Sequence, residues 1–418
     1  MAVEYITSKN LFYLIGETMK LMDEPLAKHC ERVSYIMSRM LECKGGYEKY
    51  EIADFMILAM VHDMGAHRTD NVRKPLSFET KNPLPHSIYG YLALKYLSPL
   101  EEQSKMILYH HMDYDTTKNL DYKYKDELEI LKVAEIIDIW HGAFADKFNH
   151  KLLDRYKGTK YSPDACQLLY DAVDKYDIFS KIEDGSYRKE YEESVEYVLL
   201  SDEEKEKYIK LLMYSTGFKQ ESMVPETIAT IYVSRELGRK LQISELDKNE
   251  IYYAALLHDI GMLSIPKSIL ELPRKLTKEE LNLVHTHVET MEKALEGRLS
   301  QSIIDIASAH HERFDGSGYP RGLKGSAMNT KQAILQIAEL VINMGEPKSY
   351  REAYSKEQII EELNNGIISG KYEGIVADTL LRNYDEIMDK AMQRAQVALT
   401  MYKKLKHNFQ QVYKNFTN

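Results

Sequence analysis

The stretch IYYAALLHDIG (251–261) sets Ile251, Ala254, Ala255 and Leu257 at helical spacing and then ends on a His-Asp pair and a glycine. The same design stands earlier as EIADFMILAMVHDMG (51–65), where Ile52, Phe55, Met56, Ala59 and Met60 lead into His62-Asp63. Ile303, Ile306 and Ala307 precede His310 in this manner, and Ile334, Ile337 and Ala338 precede Glu339. Strict period-two alternation is nearly absent, while Glu, Lys, Leu and Met are abundant, so both halves are predicted to be all-α bundles.

Outward from these two stretches, histidines and acids recur in the same order. The first half reads His29, His62-Asp63, His86, His110-His111 and Glu135, in steps of 33, 24, 24 and 25 residues. The second reads Glu226, His258-Asp259, His287, His310-His311 and Glu339, in steps of 32, 29, 23 and 29. A lone buried histidine is usually a satisfied core residue. Here nine of the fourteen histidines fall into two matching sets, which points to duplicated metal sites. The other five, His67, His141, His150, His285 and His407, have no counterpart in the opposite half and are expected to be structural or solvent-facing.

Mixed imidazole and carboxylate donors suit Fe, Mn or Zn, and the lack of cysteine in the sets leans away from structural zinc. A carboxylate can bridge two cations, so each set is large enough for two or more divalent ions; Fe or Mn fits best, with Zn, Mg or Ni open. Binuclear centres of this sort, with cations about 3.5–4 Å apart, are suited to attack on phosphorus.

With 418 residues the chain is long enough for roughly two or three domains, each half burying its own core. Fifty-five basic against 65 acidic residues give a net charge of −10, with no basic run, which argues against binding a nucleic-acid polymer through its phosphates. No apolar run approaches the length of a membrane span, and MAVEYITSKN (1–10) lacks the features of a signal peptide. Cys30, Cys43 and Cys166 form no CxxC pair; Cys30 reads as a small buried residue, and the chain as reduced and cytoplasmic. Domains are expected at 1–200 and 201–418, divided between 195 and 215, where SDEEKEKYIK (201–210) starts a helix rather than a flexible linker. The amphipathic pattern of 375–418 is expected to dock on the second half or on a partner.

LLHDIG (256–261), HHERFDGSGYPRGLKG (310–325) and IAEL (337–340) resemble the HD-GYP branch of the HD metal-dependent phosphohydrolases, over roughly 220–355. The first half, through HCERV (29–33), VHDMG (61–65), HSIYG (86–90), His110-His111 and VAEIID (133–138), resembles the plain HD pattern and lacks the Gly-Tyr-Pro loop. The resemblance implies a phosphodiesterase that hydrolyses a cyclic dinucleotide, chiefly cyclic di-GMP, in a bacterial cytosol. It implies a metal-activated hydroxide, with Asp259, and Asp63 in the first half, bridging cations. Substrate would meet Arg313, Gly318, Tyr319, Pro320, Lys348, Tyr350 and Arg351, with Arg321 open to phosphate or solvent.

Three departures bear on this. Glu226 stands where the family has a histidine, Glu135 and Glu339 replace the usual final aspartate, and Met262 replaces a lysine that commonly follows the His-Asp motif. They leave two alternatives: a catalytically weak module that binds a cyclic dinucleotide and regulates a partner, or a nucleotide phosphohydrolase working through the first half. A homodimer is also open.

Overall fold

The structure, a computed structural model, describes residues 5–68, 82–348 and 351–417. Among the described residues there is no strand, only three isolated bridges, so both halves are helical. The chain divides into two compact units, 8–208 with 405–418, and 1–7 with 209–404. The division between 208 and 209 falls inside the helix Asp202–Ser215.

In the first unit, α1 (Ser8–Met22), α2 (Glu24–Lys44) and α3 (Lys49–Val61) lead to a short tight turn at Met64–Arg68. Then come α4 (Leu84–Leu97), α5 (Ser104–Tyr109) and α6 (Lys125–Phe144). Asp23 starts α2 by accepting the Leu26 amide at 2.9 Å, ahead of Pro25 in the first turn. α2 packs on α3 and α6, and α4 packs on α5 and on the Met64–Arg68 turn. Val33, Ile36 and Met37 of α2, Ile57 and Leu58 of α3 and Leu131 of α6 are fully buried. Each such side chain contributes about 1.5–3 kcal/mol.

The second unit repeats the arrangement. Its helices are α7 (Met223–Lys240), α8 (Glu245–Leu257), α9 (Lys278–Leu295), α10 (Gln301–Ser308) and α11 (Thr330–Gly345), with the tight turn at Ile260–Ser264. α7 packs on α8 and α11, and α9 on α10 and on the turn. Thr277 opens α9 and Asn329 opens α11 with reciprocal capping boxes to Glu280 and Gln332.

The last helix, α12 (Tyr384–Thr417), expected to dock on the second half or on a partner, is shared between the units. Its residues to Lys404 group with the second unit and those from Leu405 with the first. Tyr402 stacks on Tyr214 in the one, and Phe409 on Tyr89, with centroids 4.2 Å apart, in the other. No helix among the described residues is long and apolar enough to cross a membrane.

Candidate metal centres

Both His-Asp pairs sit where a helix ends. α3 stops at Val61 and α8 at Leu257; His62 and His258 keep helical backbone angles as the last residues of the spiral, and Asp259, at φ −104°, leaves it. The glycine two residues on is required by contact. A Cβ on Gly65 would lie 2.1 Å from the His86 carbonyl oxygen, and one on Gly261 would lie 1.9 Å from that of His287. Each glycine thus lets the turn close onto the helix that brings the next histidine.

The imidazoles are oriented by their own backbones. Nδ1 of His62 donates to the Ala59 carbonyl at 2.7 Å, His258 to Ala255 at 2.9 Å, His287 to Val284 at 2.7 Å and His310 to Ala307 at 2.6 Å; His110 does the same to Ile107. A carbonyl only accepts, so Nδ1 carries the proton and Nε2 presents a lone pair to the site.

In the first unit those lone pairs converge. Asp63 Oδ1 lies 3.4 Å from His86 Nε2 and 3.5 Å from His110 Nε2, and Asp63 Oδ2 lies 3.6 Å from His62 Nε2. His86 Nε2 and His111 Nε2 face each other at 2.7 Å, and His111 Nδ1 lies 3.3 Å from Glu135. Nε2 of His62, Nε2 of His110 and Oδ1 of Asp63 are buried without a hydrogen-bond partner. Orphaned buried acceptors of this kind are costly unless something shares them. Their chemistry and closeness fit a divalent cation. Two groups have donors within 4.8 Å of one another: His29, His62 and Asp63, and Asp63, His86, His110 and His111, with Asp63 common to both.

Burial pulls His62 and His86 down to about 4 and pushes the Glu135 carboxyl up to about 7. Burial also works against the Asp63 carboxylate, but His62, His110 and His86 outweigh it and hold it well below the usual range. His29 is fixed differently. Its Nδ1 donates to Asp138 Oδ2 at 2.7 Å, and Arg32 grips the same carboxylate through Nε at 2.6 Å and Nη2 at 2.9 Å. Asp138 and Arg32 lie one helical turn from Glu135 and His29, and sequence reasoning did not single them out.

The second unit is related but not identical. His287, His310 and His311 form one group, with His287 Nε2 and His310 Nε2 3.2 Å apart. Asp259 lies 3.4 Å from His258, 3.5 Å from His287 and 3.8 Å from His310, and His311 lies 4.0 Å from Glu339. Burial, with Asp259 nearby, pushes Glu339 up to about 7. Glu226 stands apart from the histidine group: its Oε2 accepts Lys348 Nζ at 3.0 Å. The centre is also more open, with the Asp259 side chain 27% exposed against 1% for Asp63.

The Gly-Tyr-Pro loop is hung from Glu312, a carboxylate with no solvent exposure. It accepts the Arg321 amide at 2.7 Å and the Leu323 amide at 2.8 Å. A Cβ on Gly318 would lie 2.5 Å from the Glu312 Cα, and Gly316 has φ +82°, so glycine is needed at both. Tyr319 stacks on His311 on one side and on His285 on the other, with centroids 4.6 and 3.7 Å apart. His285, expected to be structural or solvent-facing, is part of the loop's support. The guanidinium of Arg313 lies over Tyr372, and Pro320 follows Tyr319 at the rim. Arg321 pairs with Glu292.

Two of the basic residues expected to hold phosphate are otherwise engaged. Lys348 neutralises Glu226, and Arg351 donates Nη2 to Asn343 O at 2.9 Å and Nη1 to Met344 O at 3.0 Å. Those carbonyls end α11 and have no partner within it, which is why a guanidinium settles there. Tyr350 lies outside the described residues.

HD-domain family models match residues 26–141 and 213–374. Among curated proteins the chain is similar to the 3'3'-cGAMP-specific phosphodiesterase 1 of Vibrio cholerae, 24% identical over 90% of this chain and 92% of that one. It is also similar to a cyclic di-GMP phosphodiesterase of Thermotoga maritima, 34% identical over 38% of this chain and 44% of that protein. The chain therefore spans under half the length of the latter. Among solved structures it resembles a cyclic GMP-AMP specific phosphodiesterase of V. cholerae, with a TM-score of 0.58 and 16% identity over 91% of this chain and 98% of that one, a likeness of fold.

Proposed function

We propose, for a chain that belongs to the HD-domain family once in each half, that it is a metal-dependent phosphodiesterase whose second half opens a cyclic dinucleotide. The observation that carries this reading is the adjacency, in one centre that opens to solvent at Asp259, of the His287–His310–His311 donor group and a glycine loop stacked on His311 through Tyr319. His287, His310 and His311 would hold a divalent cation there, Fe or Mn by the donor set, and it would supply Lewis acidity toward water and phosphate oxygens.

The chain's own residues would do the rest. His287, His310 and His311 present their lone pairs to the cation, and Asp259 is placed to share it. Against its burial, His258, His287, His310 and Lys348 hold Asp259 below the usual carboxylate range, so it stays ionised. Gly318, Tyr319 and Pro320 form a wall against which a ribose or base can lie. Arg313, at the base of that loop, is the cation best placed to take a phosphate oxygen as a planar fork. The open mouth at Asp259 favours this half over the first, where Asp63 is sealed.

Cyclic di-GMP is the substrate implied by the Gly-Tyr-Pro motif. A second reading, 3'3'-cGAMP, is favoured by the relative that spans both halves of the chain. Chromatographic assay of both dinucleotides with Mn and Fe, using the full chain, tests the proposal. His310→Ala is expected to abolish hydrolysis, while His62→Ala leaves a measurable rate. No linear product from either dinucleotide at high protein loading would leave only a binding role, and activity lost through His62 alone would move the reaction to the first half.

A further inference from the structure

The two centres share a plan but differ at one position, and the difference reaches three residues at once. In the first unit His29 joins His62 and Asp63 in a donor group. Its ring is held by Asp138, which Arg32 holds in turn. In the second unit the matching positions are Glu226 for His29, Ile342 for Asp138 and Ala229 for Arg32. Ile342 is 4% and Ala229 5% exposed, so the whole supporting relay has been replaced by core. A ligand kept for a cation would be expected to keep its orienting partner. Glu226 instead accepts an ammonium, Lys348 Nζ, at 3.0 Å, and is absent from the second unit's donor group. Both partners are about one-fifth exposed, so the pair is only partly screened by solvent.

We infer that the halves hold unequal numbers of cations: the first is built for two, sharing Asp63, and the second for one, with the Lys348 ammonium taking the place of the other. This rests on the reading of the second half as a metal-dependent centre. The fixed charge of Lys348 is held by Glu226, the acid that a second divalent ion would otherwise neutralise. It supplies one positive charge where a divalent ion would supply two, and a chelator cannot remove it.

The test is a count of tightly bound Mn(II) on the full chain after stripping and reloading, by elemental analysis. Wild type is expected to hold about three equivalents, His29→Ala about two, and Glu226→Ala still about three. Glu226→Gln, nearly the same shape, repeats the measurement should the alanine variant fold poorly. Lys348→Met is expected to raise the count by about one, since the Glu226 carboxylate is then uncompensated and free to take a cation. Loss of an equivalent in the Glu226 variants, or an unchanged count in Lys348→Met, would overturn the inference. Failure of the underlying reading looks different: wild type would bind no Mn(II) that His310→Ala removes.

Discussion

The carboxylate of Glu312, wholly buried, accepts the backbone amide of Arg321 at 2.7 Å, and so ties the far end of the Gly-Tyr-Pro loop to the residue that follows the paired histidines. Its other oxygen takes the Leu323 amide at 2.8 Å. Glu312→Ala leaves both amides without their acceptor and opens a cavity. The expected cost is about 2–4 kcal/mol of stability. With Tyr319 no longer held against His311, dinucleotide hydrolysis is expected to fall by about 10²-fold. Denaturant titration and a steady-state assay read the two effects. Wild-type hydrolysis in the alanine variant would show that the loop needs no such tie.

The glycine after each His-Asp pair gives a second expectation. Gly65→Ala and Gly261→Ala each force a methyl group to within about 2 Å of a helix carbonyl, at His86 O and His287 O. Either substitution should cost about 3 kcal/mol or more by overpacking against backbone. Gly142→Ala in α6 meets nothing within 4 Å and should be neutral, or stabilising by up to about 1 kcal/mol. Midpoints of urea unfolding check all three.

Metal removal should be felt as lost stability. The orphaned Nε2 atoms of His62 and His110 and Oδ1 of Asp63 come from separate stretches that a shared cation would join. A ligand present at a hundred times its Kd stabilises the fold by about 3 kcal/mol per site. Calorimetry before and after verified stripping should therefore show a lower Tm, restored by adding back Mn or Fe. An unchanged melt would mean that the cluster does not couple to the fold.

Away from the centres, Asp54 on α3 is half-buried, and burial, with Glu204 and Glu51 nearby, pushes it up to about 6 from 3.8. The unfolded chain then ionises this group first as pH rises. Stability is lost between pH 4 and 6 and is not regained above it. Asp54→Asn should match wild type below pH 4 and be more stable at pH 7, by about 1 kcal/mol once solvent screening is allowed for. Paired urea titrations at the two pH values read the gap. A gap that closes as pH rises would contradict the sign.

The bundle and the convergence of the histidines were legible because both are carried by spacing. A helix that ends on His-Asp announces itself through the apolar positions before it, and duplication marks Ile251–Leu257 and Ile52–Val61 as the same device. What spacing cannot carry is where a long side chain turns. Glu312 and His285 look like solvated residues beside a motif, yet one hangs the loop and the other stacks on Tyr319. Arg351 and Lys348 kept their charges in sequence, but nearby carbonyls and Glu226 claim them first. Asp138 was within reach, since a carboxylate one turn past Glu135 faces the same way, and its absence at Ile342 was the signal.

The 1% exposure of Asp63 bears on timing as well as on chemistry. An ion seated behind that carboxylate can leave or be swapped only when the bundle breathes, whereas one beside Asp259, with 27% of its side chain in contact with solvent, can exchange with the medium. The first half would thus keep whichever metal was available while the chain folded, and the second would follow the metal supply of the moment.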